Sequence, residues 1–237
     1  MSPSEILKVK DSKIIIILIF RKFSNRTFFG IIRIRKDGRI MLKTNHKLIL
    51  ASASPRRKEL LDMLGLPFEV LTSEVEETSV QASSMQEYVK GVALLKTRDV
   101  AKKVTNATII GADTIVVDND ELLHKPKSRE EAIAHLLRLS DREHVVMTAV
   151  AIIEPNGKEN IFVEETTVVF HPLSKELIAA YVDSGDPFDK AGGYGIQTIG
   201  TLLVKRIEGD YNNVVGLPLA ALFSQLVNLQ IVQFAKE

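Results

Sequence analysis

Asp113 interrupts an apolar run from Ala107 to Val117, whose β-branched residues read as a buried strand. An ionised carboxylate inside such a strand must be paired, metal-bound or shifted in pKa. Gly111 and Ala112 before it leave room for something to approach. Asp113 could hold a divalent metal or activate water beside a phosphate chain, or it could sit at a strand bend capped by backbone N–H groups. A second cluster is cationic. The stretch Leu48-Ile49-Leu50-Ala51-Ser52-Ala53-Ser54-Pro55 reads as a short strand running into a helix, with Ser54 as N-cap and Pro55 as first residue. Arg56, Arg57 and Lys58 then fill the first turn, where the helix dipole is already positive and acids are expected. Cations gathered over free backbone N–H groups suit a phosphate chain. A solvated basic helix start is the plainer alternative.

Further candidates are weaker one by one. Lys125, in Lys125-Pro126-Lys127, follows the turn after the Asp113 strand, and Lys96 lies on a long amphipathic helix. A lone lysine is most often a solvated surface charge. The acidic loop ending in Glu76 and Glu77 offers a second carboxylate to a metal, or is simply a polar loop. The segment from Asp186 to Gln197 is too ordered in residue type for a linker. Its glycines permit tight turns or close backbone approach to a ligand, but it follows a helix and lacks the spacing of a dinucleotide fingerprint. The histidines at 46, 124, 135, 144 and 171 show no ligand spacing, and neither a G-x-S-x-G elbow nor a Walker A loop occurs.

The elements that must position these groups follow from local pattern. Strands are expected at 48–51, 68–71 and 107–117, with helices at 54–64 and 85–104 between them. Residues 118–121 turn the third strand back. A helix over 128–139 carries a Ser cap and Glu131 at capping-box spacing. Two long strands, 145–154 and 160–170, flank a turn containing Asn156-Gly157 and form a hairpin. A helix at 173–182, the Gly-rich segment 185–200, a strand at 201–207, a loop at 208–213 and a last helix from about residue 217 complete the order. Helices mixed with strands and one clear hairpin predict an α/β or α+β fold with a mixed, twisted sheet and flanking helices.

Composition narrows the class. With 237 residues, 45% hydrophobic and 26% charged, the chain can bury a sizeable core. It has no cysteine, which excludes disulfides, thiolate zinc and a cysteine nucleophile, and fits a reducing compartment. The net charge of +1 hides a split: residues 1–40 hold ten Lys/Arg (8, 10, 13, 21, 22, 26, 33, 35, 36, 39) against three acids (5, 11, 37), so the remainder is mildly acidic. An acidic body argues against general nucleic-acid binding. The apolar run at 14–20 is too short to span a membrane, which takes about 20 residues. Residues 1–45 therefore read as an atypical basic extension: an added hairpin or interfacial segment, a tail, or translation from a start placed too early. Residues 46–237 read as the organised domain.

Several motifs together carry a specific resemblance. Ala51-Ser52-Ala53-Ser54-Pro55-Arg56-Arg57, Gly111-Ala112-Asp113-Thr114, Lys125-Pro126, Asp189-Lys190-Ala191-Gly192-x-Tyr194-Gly195-Ile196-Gln197 and Val215-Gly216-Leu217-Pro218 resemble the Maf (septum-formation) family of nucleoside triphosphate pyrophosphatases. The match runs in order over about residues 46–228 and favours the early-start reading of the extension. The resemblance implies two lobes around a cleft, as in the inosine triphosphatase-like fold. It implies hydrolysis of a nucleoside triphosphate between the α and β phosphates, with a divalent metal, Mg or Mn. In that family Asp113 corresponds to the proton acceptor, Ser54, Arg57, Lys96 and Lys125 to the phosphate site, and Glu77 with Asp113 to the metal site. Arg56, Thr114 and Gln197 stand where the branch acting on dTTP and UTP has Arg, Thr and Gln, and the branch acting on 7-methyl-GTP differs there. An amide at Gln197 can pair with the donor and acceptor edge of uracil or thymine. The resemblance further implies a cytoplasmic enzyme without nucleic-acid or membrane partner, with a homodimer as one assembly. The alternatives are a nucleotide-binding regulator of septum formation without turnover, and a 7-methyl-GTP preference. Two positions depart from the pattern: His124 precedes Lys125 where Gly is frequent, and Asp141 follows Ser140 where Gly is usual.

Overall fold

The computed structural model describes residues 8–10, 14–23, 26–35, 41–75 and 80–235. In the N-terminal stretch, β1 (Lys8–Lys10), β2 (Ile14–Phe23) and β3 (Arg26–Arg35) pair antiparallel as a three-stranded sheet of their own. The body begins with β4 (Leu42–Lys43) and β5 (Lys47–Leu50), then α1 (Pro55–Asp62), β6 (Glu69–Val70), α2 (Met85–Ala101), β7 (Ala107–Asp118) and β8 (Glu121–Leu123). It continues through α3 (Arg129–Leu139), β9 (Glu143–Ile153), β10 (Glu159–Phe170) and α4 (Lys175–Asp183). Three 3-10 turns, Asp186–Asp189, Ala191–Gly193 and Ile199–Leu203, lead into β11 (Val204–Glu208), α5 (Tyr211–Val215), α6 (Leu219–Asn228) and β12 (Gln233–Phe234).

The main sheet is mixed, in the order β11-β10-β9-β7-β5-β6 with β8 on β7. β5 runs parallel to β6 and β7, and the other pairs are antiparallel. Even-numbered side chains of β7 and β9, such as Ile110, Ala112, Val150 and Ile152, pack with Leu60 and Leu61 of α1 and Leu222 and Leu226 of α6. Farther along the same face Val116 and Val146 pack with Ala132 and Leu136 of α3 and Ile178 and Val182 of α4. On the opposite face Ile115, Val117, Ala149 and Ala151 meet Val89 and Ala93 of α2. Covered on both faces, β7 is almost wholly buried, as its apolar run requires.

Local signals act where the sequence places them. The Ser54, Ser84, Ser128 and Ser174 hydroxyls each accept from the backbone N–H three residues on, capping α1, α2, α3 and α4. Glu131 departs from a strict capping box, since its Oε2 accepts from the N–H of Lys127, one residue before the cap, at 2.7 Å. Asp141 takes φ 57°, a left-handed conformation that Asp tolerates and Gly prefers. Two expectations need correction. The strand expected from residue 201 starts only at Val204, because Ile199–Leu203 winds as a 3-10 turn. The loop expected at 208–213 runs into α5, capped by Asp210. Leu42–Lys43 pair antiparallel with Gln233–Phe234, which places the C-terminal strand against the chain just before β5.

One feature of the sheet prepares the site. β5 pairs with β7 from Lys47 opposite Ala107 to Leu50 opposite Ile110, and β8 joins that edge only at Val116. Between Ile110 and Val116 no described strand lies beside β7 on this side. The chain leaves β5 instead through Ala51–Ser54 into α1. The carbonyl of Ile110 accepts from the N–H of Ala51 at 2.7 Å. By the alternation of a strand, Ala112 and Thr114 aim their backbone N–H and C=O groups into the same gap.

Candidate active site

A cavity of about 640 Å³ opens at this gap. Asp113 and Thr114 are neighbours on one strand and point to opposite faces of the sheet. Both line the cavity because the interrupted edge joins the two sides. Ser54, Arg56, Arg57, Lys96, Lys125 and Gln197 line it as well. Eight of the nine candidate side chains therefore converge on one space. Glu77, the remaining one, lies outside the described residues. Lys58, third of the helix-start cations, is exposed and does not line the cavity.

On the α2 side, Lys96 Nζ donates to Asp113 Oδ1 at 2.7 Å, with both side chains largely buried. Gly111 makes this approach possible. A Cβ built there would stand 2.0 Å from Thr97 Oγ1, so only glycine lets α2 lie this close to β7. Asp113 Oδ2 takes no donor among the described residues, leaving one carboxylate oxygen for a ligand or a water proton. The buried-acid reading of Asp113 thus resolves into an ion pair at a cavity wall rather than a capped strand bend.

On the α1 side, Arg57 is held as a fork. Its Nε donates to the Gly216 carbonyl at 2.8 Å, one terminal nitrogen to Ser52 Oγ at 3.3 Å and the other to Thr114 Oγ1 at 3.0 Å. Thr114 Oγ1 also lies 2.9 Å from Thr148 Oγ1, which donates to the Asn213 carbonyl at 3.1 Å. Arg57 is therefore pre-set by a hydrogen-bonded chain crossing β7, β9 and α5. Thr148 and Asn213 escaped the sequence reading; a threonine buried in the apolar run of β9 was the available signal.

At the mouth, Arg56 donates to Asp189 Oδ2 at 2.9 Å, tying the start of α1 to the Gly-rich segment. Burial works to raise the Asp189 carboxyl, but hydrogen bonds from Lys190 and Arg56 outweigh it and hold it below its ordinary value. Lys125 and Gln197 are both exposed, with their side chains on the cavity wall. Behind the wall, Tyr194 stands in edge-to-face contact with His144 and Phe170, and its hydroxyl lies 2.7 Å from His144 Nε2. Burial drives the His144 pKa down to about 4, against the opposing charge of Asp118. The imidazole is neutral at pH 7.

Taken as a surface, the cavity sets Arg56, Arg57, Lys96, Lys125, Lys127 and Lys190 against Asp113, Glu131 and Asp189. A polyanion with an apolar or aromatic end is the ligand this balance favours. The sequence model described as "Maf-like protein" matches residues 47–229. The chain belongs to the Maf family. Among its curated Maf relatives, a dTTP/UTP pyrophosphatase of Geobacillus sp. (strain WCH70) is 51% identical over 174 residues, covering 73% of this chain and 93% of that protein. A protein of the same name from Symbiobacterium thermophilum is 51% identical over 173 residues, covering 73% of this chain and 89% of its own. One from Bacillus cereus is 45% identical over 201 residues, covering 85% and 97%. A solved HAM1 protein from Coxiella burnetii aligns over 77% of this chain and 99% of its own, at 18% identity and a TM-score of 0.44.

Among the described residues the donor set for a hard cation is sparse. No three of their His, Asp or Glu side chains form a metal cluster. Asp113 Oδ2 and Glu131 Oε1 are cavity-lining carboxylate oxygens that take no hydrogen bond from the described residues. So small a set fits magnesium, which is usually held by one or two protein carboxylates together with substrate phosphates and water. No helix among the described residues is long and apolar enough to cross a membrane.

Proposed function

We propose that this Maf protein hydrolyses dTTP and UTP at the α–β phosphoanhydride, releasing the nucleoside monophosphate and pyrophosphate, and so removes excess or non-standard pyrimidine nucleotides. The observation that carries the reading is the convergence of Asp113 with Lys96 and of Arg57 with Lys125 on one cavity, in a chain about half identical to proteins of that named activity. The triphosphate lies along the cationic wall, with Arg57 and Lys125 taking the charge that grows on the departing pyrophosphate. Water is held by Asp113 Oδ2 and attacks the α-phosphorus. Its oxygen forms the new P–O bond, its proton passes to Asp113, and the bond to the bridging oxygen breaks with its electron pair on pyrophosphate. Lys96, at 2.7 Å from Oδ1, fixes the carboxylate so that Oδ2 faces the substrate. A divalent ion, Mg or Mn, would be held by Asp113 with substrate oxygens, and when bound it neutralises phosphate charge. Gln197 offers an amide to the base edge, and Arg56 and Thr114 border it. The absence of cysteine is in keeping with a cytoplasmic setting.

Pyrophosphate release is the test, from dTTP, UTP, CTP, ATP, GTP and 7-methyl-GTP with magnesium, manganese or chelator. The parent is expected to release it from dTTP and UTP in a metal-dependent manner, and Asp113→Asn, checked for folding by circular dichroism, is expected not to. An active Asp113→Asn protein removes Asp113 as base. Nucleotide binding without release from any substrate replaces the enzyme reading by a nucleotide-binding regulator.

A further inference from the structure

The segment that presents Gln197 is organised around a carboxylate to which nothing above gives a role. Asp186 is partly buried, and each of its oxygens is engaged. Oδ2 accepts from the Tyr181 hydroxyl at 2.6 Å and lies 2.6 Å from Thr198 Oγ1. Oδ1 accepts from Lys190 Nζ at 3.1 Å, while the same ammonium donates to the Asp186 carbonyl at 2.7 Å and to Asp189 Oδ1 at 2.6 Å. The three protons of Lys190 thus go to protein acceptors, so this buried lysine serves the loop and not the phosphates.

The geometry of the turn follows from those bonds. Gly195 to Thr198 form a β-turn closed by the Thr198 N–H on the Gly195 carbonyl at 3.3 Å, with Ile196 and Gln197 as its central residues. Thr198 is one corner of that turn and bonds Asp186 directly. Gly195 is the other, and its N–H donates to the Tyr181 hydroxyl at 3.1 Å. One oxygen of one carboxylate therefore secures both corners. The surroundings admit little slack: a Cβ on Gly200 would stand 2.6 Å from the Gly195 carbonyl oxygen and 2.8 Å from the Tyr181 hydroxyl. Burial would raise the Asp186 carboxyl, but hydrogen bonds from Thr198, Tyr181 and Lys190 outweigh it and keep it low, so the hub is charged when the enzyme works.

We infer that Asp186 is a positioning residue for base selection: by fixing the turn from Gly195 to Thr198 it sets Gln197 against the pyrimidine edge, without touching substrate. The inference rests on the proposed nucleotide reading and deepens it. A fixed amide rejects a base with the wrong donor and acceptor order, because a mispaired polar edge is left unsatisfied, whereas a loose amide can turn to suit either. Cytosine, with an amino group where uracil has a carbonyl, is the informative competitor.

Steady-state kinetics of the full chain on dTTP, UTP and CTP test this, with the inhibition constant of inorganic pyrophosphate as a base-free probe of the phosphate side. For Asp186→Asn we expect the preference for UTP over CTP in kcat/KM to fall about tenfold. The loss should lie mainly in KM, and pyrophosphate inhibition should stay within about twofold of the parent. Tyr181→Phe removes the hydroxyl's two bonds, to Asp186 Oδ2 and from the Gly195 N–H, but leaves Thr198 and Lys190 on Asp186; it should move the same ratio by a smaller factor, which keeps the test intact where Asp186→Asn does not fold. An unchanged UTP-to-CTP ratio in the folded variants overturns the inference, and so does an equal weakening of pyrophosphate. A parent that turns over none of the nucleotides overturns the functional reading first and this inference with it, an outcome visible before any variant is made.

Discussion

Lowering the pH from 8 to 5 should destabilise this protein through His144, a buried residue packed against Tyr194 behind the cavity wall. Its pKa is about 4 in the folded chain, against 6.5 for an unperturbed imidazole, chiefly because burial disfavours the cation. The folded state therefore binds the proton less readily than the unfolded one. Stability is full above pH 6.5, declines below it, and levels off only under pH 4. At about 1.4 kcal/mol per pH unit, less the rounding near each pKa, the loss between pH 8 and pH 5 comes to about 2 kcal/mol. Urea unfolding at the two pH values measures it, and for a domain of this size the midpoint should drop by roughly 1 M. His144→Gln, which keeps a polar group beside the Tyr194 hydroxyl, should lower the stability at pH 8 yet lose about 2 kcal/mol less on acidification. His135, whose pKa burial also lowers, is common to both proteins and cancels in the comparison. The carboxylates held low, Asp186 and Asp189 among them, contribute stability that is lost only below the ordinary carboxylate range, outside this window. Equal pH losses in parent and variant would refute the reasoning.

Two further outcomes follow from packing. Gly111→Ala should cost about 2–3 kcal/mol by thermal or urea unfolding, since its methyl group would meet Thr97 Oγ1 at 2.0 Å. Adding Thr97→Ala should recover part of that loss, and strict additivity of the two changes would contradict the contact. Arg57→Lys keeps the charge but loses the fork that bonds Gly216, Ser52 and Thr114, so the inhibition constant of pyrophosphate should rise about tenfold, nearly as far as in Arg57→Ala. A lysine variant that binds pyrophosphate like the parent would show that charge alone matters at this position.

What the sequence disclosed was chiefly what neighbours along the chain decide. The Ser54 cap, the Asn156-Gly157 hairpin and the amphipathic α2 depend on spacings of a few residues, and each appears where those spacings put it. Asp113 was conspicuous because a charge in an apolar strand breaks a local rule. Its partner was not, since Lys96 looks like any surface lysine until α2 is laid on β7. Asp186 was hidden for the same reason: the groups it joins belong to a helix and two turns, and hydrogen bonding among them leaves no period in the sequence. β4 and β12, two residues each, are too short to show alternation. The 3-10 turn over Ile199–Leu203 carries the apolar residues of a strand, so its pattern pointed the wrong way.

The interruption beside β7 has a bearing on solubility as well. A bare strand edge is a template on which another polypeptide can add itself, and proteins commonly blunt such edges with charge, proline or a covering segment. Here the bare stretch is internal, stopped by β5 at Ile110 and by β8 at Val116. An intruding strand would need to lie flat along the edge and continue past both stops, which β5 and β8 prevent. A small molecule needs only the length of the opening. The break that admits a ligand to both faces of the sheet is thus too short to recruit a second chain.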